Sequence, residues 1–190
     1  LVFFSNDHQG RLPWHLFGRE KIVFFGEASN KDLGMILGHP HIQRELGTPL
    51  VLVSPCDPDR QAAANKLKDS WEGLIGGERV KPKRPGFDPE NIKPIAPDGV
   101  SYALCLGGDA THGNTVLSLT RNISGADLKD ATFKGGVMKG LKESQGQLVT
   151  ADGAAQQLDN KGLAERVKAH TDSRGGGVKG APSTLLALPK

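Results

Sequence analysis

The stretch that decides the fold is Leu50-Val51-Leu52-Val53-Ser54-Pro55-Cys56-Asp57-Pro58-Asp59. Leu50 to Val53 is a compact apolar run rich in β-branched residues, which reads as a buried strand. Asp57 then has the chemistry of a helix N-cap, and Pro58 suits the first helical position. Ala63, Leu67, Trp71, Leu74 and Ile75 follow at helical spacing, and Gly76-Gly77 ends that helix. The first half as a whole reads as alternating strands and helices.

Working outward, the pattern continues. Ile22 to Phe25 fits a helix face or a short strand. Ser101 to Leu106 and Thr115 to Leu119 are two further strand candidates. Residues 78–99 carry five prolines and several basic residues, and read as a long loop or linker. No aromatic residue follows Phe133. Ala154 to His170 gives one short amphipathic helix with Leu158, Leu163 and Val167 inward. Gly175-Gly176-Gly177 then starts a basic tail. An apolar core without aromatics is hard to build, so this last third packs on the first part or is extended and partner-dependent.

The chain has 190 residues and a net charge of +3, enough for one ordinary core and too weakly basic to argue for nucleic acid. No apolar run approaches a membrane span, and no signal peptide is visible. The chain begins with Leu, as a processed product or a fragment would. Cys56 and Cys105 are the only cysteines, too few for a disulfide framework or a thiolate metal site. A reducing, cytoplasmic setting is the expectation.

Gly10-Arg11-Leu12-Pro13-Trp14-His15-Leu16 is followed by Glu20, which precedes the apolar Ile22-Val23-Phe24-Phe25. A carboxylic acid among apolar side chains has a raised pKa, suited to proton delivery near neutral pH. Met35-Ile36-Leu37-Gly38-His39, Glu45 to Ser54, Leu104-Cys105-Leu106-Gly107-Gly108, Leu119-Thr120-Arg121 and Asp130 to Phe133 follow in that order. Taken in order, residues 1–133 resemble the dihydrofolate reductase family; residues 134–190, a Gly-rich basic extension, have no counterpart there.

The resemblance implies a twisted, mostly parallel α/β sheet with helices on both faces, and NADPH-dependent reduction of a pterin or dihydrofolate-like substrate. It implies Glu20 as the catalytic acid and Trp14 and Phe24 as walls of the substrate pocket. Gly38, His39, Ser54, Gly107 and Gly108 would lie around the NADPH. Hydride would pass from the nicotinamide to a C=N bond while Glu20 supplies the proton.

Other constellations compete. Asp57 and Asp59 after an apolar run, with Glu27 as third carboxylate, resemble the Mg²⁺ site of Toprim nucleases; Asp-Pro-Asp is equally good helix-start chemistry. His39-Pro40-His41-Ile42-Gln43 resembles the nucleophilic strand of nucleotidylyl transferases. Gly107-Gly108-Asp109-Ala110-Thr111 resembles the phosphate loop of lipid and NAD kinases, with Ala110 in place of a glycine. His112 and His170 have no partners at metal spacing and read as ordinary residues. From a different class comes a non-catalytic structural protein, such as a subunit of a larger assembly or a processed viral component. Homo-oligomer or assembly contacts would then run through the C-terminal region, with no membrane or nucleic-acid partner.

Overall fold

The computed structural model describes residues 12, 30–38, 40–64, 71, 95–173 and 183–189. Glu20, Trp14, Phe24, Glu27 and His39 lie outside them, as do Ile22 to Phe25.

Two short helices come first, α1 (Asn30–Leu37) and α2 (Pro40–Leu46), then α3 (Pro58–Ala64). Five strands make the main sheet: β1 (Tyr102–Cys105), β2 (Val116–Thr120), β5 (Gln145–Thr150), β6 (Ala155–Asp159) and β7 (Leu186–Ala187). The order is β6-β5-β2-β1-β7. β3 (Ile123–Ser124) and β4 (Thr132–Phe133) form a separate ribbon, and α4 (Asn160–Asp172) follows β6 directly.

Among the described residues every strand pairing is antiparallel, in the sheet and in the ribbon. The expected twisted, mostly parallel sheet is therefore not formed. One of the expected strands, Leu50 to Val53, is not a strand. Pro49–Leu52 is a 3₁₀ turn, with the Thr48 hydroxyl accepting the Leu50 N–H at 3.4 Å and Pro49 in its first turn. Leu52 points into the core, while Leu50 and Val51 are exposed. A capping threonine followed by proline starts a turn, and that local chemistry outweighs β-propensity here. The helix after it does start at Pro58, with Asp57 Oδ1 accepting the Arg60 N–H at 3.3 Å.

β1 and β2 fall where the sequence places strands. The β5–β6 hairpin was not anticipated. Its turn is Asp152-Gly153: Gly153 sits at φ +85° and its N–H bonds the Thr150 carbonyl at 2.9 Å. Asp152 Oδ1 accepts the Thr150 hydroxyl at 2.6 Å and the Ala154 N–H at 3.0 Å. Asp-Gly between strands is a strong hairpin signal. The amphipathic helix accordingly starts at Asn160 rather than Ala154, because Ala155 to Asp159 pairs with β5 and Asp159 Oδ1 then caps the helix at the Gly162 N–H.

Alternation along β1 sends Ala103 and Cys105 to one face and Leu104 to the other. The first face packs with Leu119, Phe133, Leu148 and Leu163 of α4. The second packs with Leu33, Ile36 and Leu37 of α1, Ile42 and Ile95. Gly146 on β5 leaves room for the Phe133 ring, which a Cβ at that position would overlap. β6, at the sheet edge, alternates exposed and half-buried. The second face is thus covered at β1 and open toward β6.

The described part of the last third is folded onto the rest. Its final strand is stitched on both sides: Leu104 and Cys105 pair with Ala187 and Leu186. On the other side the Leu186 N–H bonds Ala126 O at 2.8 Å, and the Leu128 N–H bonds Thr184 O at 2.7 Å.

Candidate functional site: a neutral cleft on the open sheet face

Where the second face is left open, the sheet floors a cleft of about 460 Å³. Tyr102, Ser118, Thr120, Gln147 and Gln157 line it, with Val51 at the lip. Register brings them together: Tyr102 faces Thr120, and Gln147 faces Gln157. Side chains two apart on one strand and directly opposite on the next share one face, so four strands supply one surface. Thr120 is already held, its hydroxyl donating to Asn122 Oδ1 at 2.7 Å and accepting the Gln147 N–H at 3.0 Å. Among the described residues no charged side chain lines the cleft. What it offers is hydroxyl and amide groups that both donate and accept, from Tyr102, Ser118, Gln147, Gln156 and Gln157, beside the aliphatic surface of Val51, Leu119, Leu148, Val149 and Ala155. None of these residues was singled out from sequence; the alternating Gln145, Gln147 and the Gln156-Gln157 pair were the available signal.

Gly107 and Gly108 lie in the β1–β2 loop, but the reason for Gly107 is internal. A Cβ there would overlap the Ser183 carbonyl, so the backbone approach belongs to the chain's own last segment. The Gly108 N–H bonds the Cys105 carbonyl at 3.1 Å. Beyond them, Asp109 is buried, and its Oδ1 accepts the Thr111 N–H at 2.8 Å and the Thr111 hydroxyl at 2.7 Å. Its Oδ2 lies 3.1 Å from His112 Nδ1. Burial raises the Asp109 pKa, but the Thr111 bonds and His112 outweigh it and hold the carboxyl below its ordinary range.

Gly38 ends α1, its N–H bonding Gly34 O at 2.8 Å. Ser54 is buried, and its hydroxyl accepts the Cys56 N–H at 3.2 Å. The bonds of Gly38, Ser54 and Gly108 are thus made in three separate local settings.

Asp57 and Asp59 do converge, but on a guanidinium. Arg121 donates from Nε to Asp57 Oδ2, and from Nη2 to Asp57 Oδ1 and to Asp59 Oδ2, both at 2.8 Å. Burial raises the Asp57 pKa; the bonds from Arg121, Ser101 and the Arg60 N–H, with the Arg121 charge, together more than offset it, and the net shift is downward. The carboxylates that would face Mg²⁺ are neutralised by Arg121. Among the described residues no group of three His, Cys, Asp or Glu side chains is placed to hold a metal ion.

Cys105 and His170 meet in the core, Sγ to Nε2 at 4.0 Å, both buried. His170 Nδ1 accepts the Val116 N–H at 3.1 Å, so Nε2 carries the proton and donates it to Ser183 O at 2.9 Å. A nitrogen that carries a proton cannot take one from the thiol. Burial pushes the Cys105 thiol up to about 12. The pair is structural, and His112, with its bond to Asp109, is the histidine whose surroundings are the less ordinary.

No helix of the described residues is long and apolar enough to cross a membrane. Compared with known proteins, the chain matches no family model, no curated protein and no solved structure.

Proposed function

We propose that this chain is a binding module that takes a small, neutral, polar ligand, rich in hydroxyl or amide groups, into the cleft over β1, β2, β5 and β6. One observation carries the reading: among the described residues the cleft of about 460 Å³ is lined by Ser, Thr, Tyr and Gln side chains set among the aliphatic Val51, Leu119, Leu148, Val149 and Ala155, and by no charge. That volume is in the range of ordinary small-molecule sites, roughly 300–1,000 Å³. Neutral groups that donate and accept match hydroxyls and amides of a ligand one for one. A phosphate or carboxylate would instead lose its hydration with no cation among the described lining residues to replace it. The site is built on strands, so its groups are held in place before a ligand arrives.

Tyr102 is the single tyrosine of the chain and lies in the cleft. Uniform 3-fluorotyrosine labelling therefore gives one ¹⁹F resonance that reports on the site. Titration with neutral oligosaccharides and small amides is expected to move it saturably, and Gln147→Ala to weaken that response. A response to NADPH with none to neutral ligands would replace this reading by the reductase one. Silence toward every ligand class would reject it.

A further inference from the structure

The β1–β2 loop holds a second arrangement, independent of the cleft. Asp109 is fixed by bonds from the Thr111 N–H and hydroxyl to Oδ1, and its own N–H bonds Thr115 Oγ1 at 2.8 Å. Its free oxygen, Oδ2, faces His112 Nδ1 at 3.1 Å. Thr111 Oγ1, whose proton goes to Asp109, is 3.0 Å from the same nitrogen. Both neighbours of Nδ1 are acceptors, so Nδ1 bears the ring proton and Nε2 bears the lone pair. The His112 side chain is 19% exposed, unlike the sealed ring of His170.

The N–H groups of Asp109, Thr111, His112 and Thr115 are all taken inside the loop. Those of Ala110, Gly113 and Asn114 have no acceptor among the described residues. These N–H groups lie within two positions of His112 in sequence, and N–H groups left over by a loop suit the oxygens of a phosphoryl group.

We propose that His112 is a nucleophilic site that accepts a phosphoryl group on Nε2 from a small activated phosphoryl donor. With phosphoramidate as donor, the Nε2 lone pair forms the new N–P bond as the P–N bond of the protonated donor breaks. Ammonia leaves with the bonding electrons. The Nδ1 proton stays in place, and the positive charge that develops on the ring faces the Asp109 carboxylate. No electron transfer is involved.

The test uses the whole chain and potassium phosphoramidate. The ¹⁵N spectrum of His112 above neutral pH is expected to show the Nδ1–H tautomer. Peptide mapping with ³¹P NMR should find phosphohistidine at His112, on Nε2, forming faster than on free N-acetylhistidine. Asp109→Asn should slow it about tenfold, the scale on which a carboxylate orients and polarises an imidazole. An Nε2–H tautomer in the unmodified chain overturns the proposal whether or not the variant folds. So does phosphorylation on Nδ1, or a rate at His112 no higher than that of free N-acetylhistidine.

Discussion

His170 accepts the backbone N–H of Val116 on Nδ1 at 3.1 Å, tying α4 to the first residue of β2. Nε2 is committed to Ser183 O, so a second proton can enter only by breaking the Val116 bond. Burial therefore holds the His170 pKa below its ordinary 6.5, against the opposing pull of the Ser183 carbonyl. Below about pH 6.5 the unfolded chain binds more protons at this position than the folded one. Stability from this group is complete above that pH and is lost as pH falls toward the folded pKa. Urea midpoints measured from pH 8 to 5 should decline below 6.5, and His170→Gln should flatten that decline. Asp57 and Asp109, both lowered from 3.8, contribute stability that is lost only as pH falls below that value.

Gly107 makes room for the Ser183 carbonyl. Gly107→Ala is expected to cost about 1–3 kcal/mol, the usual range for overpacking. The expected signature is a lower urea midpoint, present with or without NADPH. An alanine variant as stable as the parent would contradict the close approach of the last segment to the β1–β2 loop.

Arg121→Met leaves the Asp57 carboxylate buried without its counter-ion. A loss of about 3 kcal/mol is expected, as for other buried pairs broken on one side. Asp59→Asn should change stability by less than about 0.5 kcal/mol, because Asp59 is 72% exposed. Millimolar Mg²⁺ should leave the melting temperature of the parent unchanged. A clear rise, lost in Asp59→Asn, would show that the carboxylates prefer the metal to Arg121.

Cys105, buried and pushed up to about 12, should resist iodoacetamide in the folded chain. Cys56, half-buried, should react first. Mass mapping before and after denaturation distinguishes the two thiols. Equal labelling under native conditions would mean that the β1–α4 contact opens readily.

Several local elements were legible from residue types. Asp57-Pro58 starts a helix because an acidic cap and a proline at the first turn act within one turn of chain. Ser101 to Leu106 and Thr115 to Leu119 have the apolar, β-branched texture of buried strands, and β1 and β2 are there. Leu50 to Val53 has the same texture and is a 3₁₀ turn instead, since Thr48 and Pro49 set its backbone. The Asp152-Gly153 hairpin was readable from its turn chemistry alone. Its strand β5 was less so: Leu148 is the one large apolar side chain buried from it, beside Gly146 and Thr150.

Strand direction was not readable at all. β1 and β2 look the same whether they run parallel or antiparallel, because local propensity carries no information about the partner strand. The direction is decided by long-range pairing, with Tyr102 opposite Thr120 and Leu119 opposite Leu148. The candidate site has the same origin. Tyr102, Ser118, Gln147 and Gln157 are spread along the chain, and only the register of four antiparallel strands sets them on one face. By itself the sequence determined where several short elements begin and which residues favour the core. The tertiary structure alone decided that Arg121 occupies the Asp57 and Asp59 carboxylates, that Ser183 fills the space beside Gly107, and that His112 rather than His170 keeps a free ring nitrogen. Each of these depends on contacts or accessibility that emerge only when the chain has closed on itself.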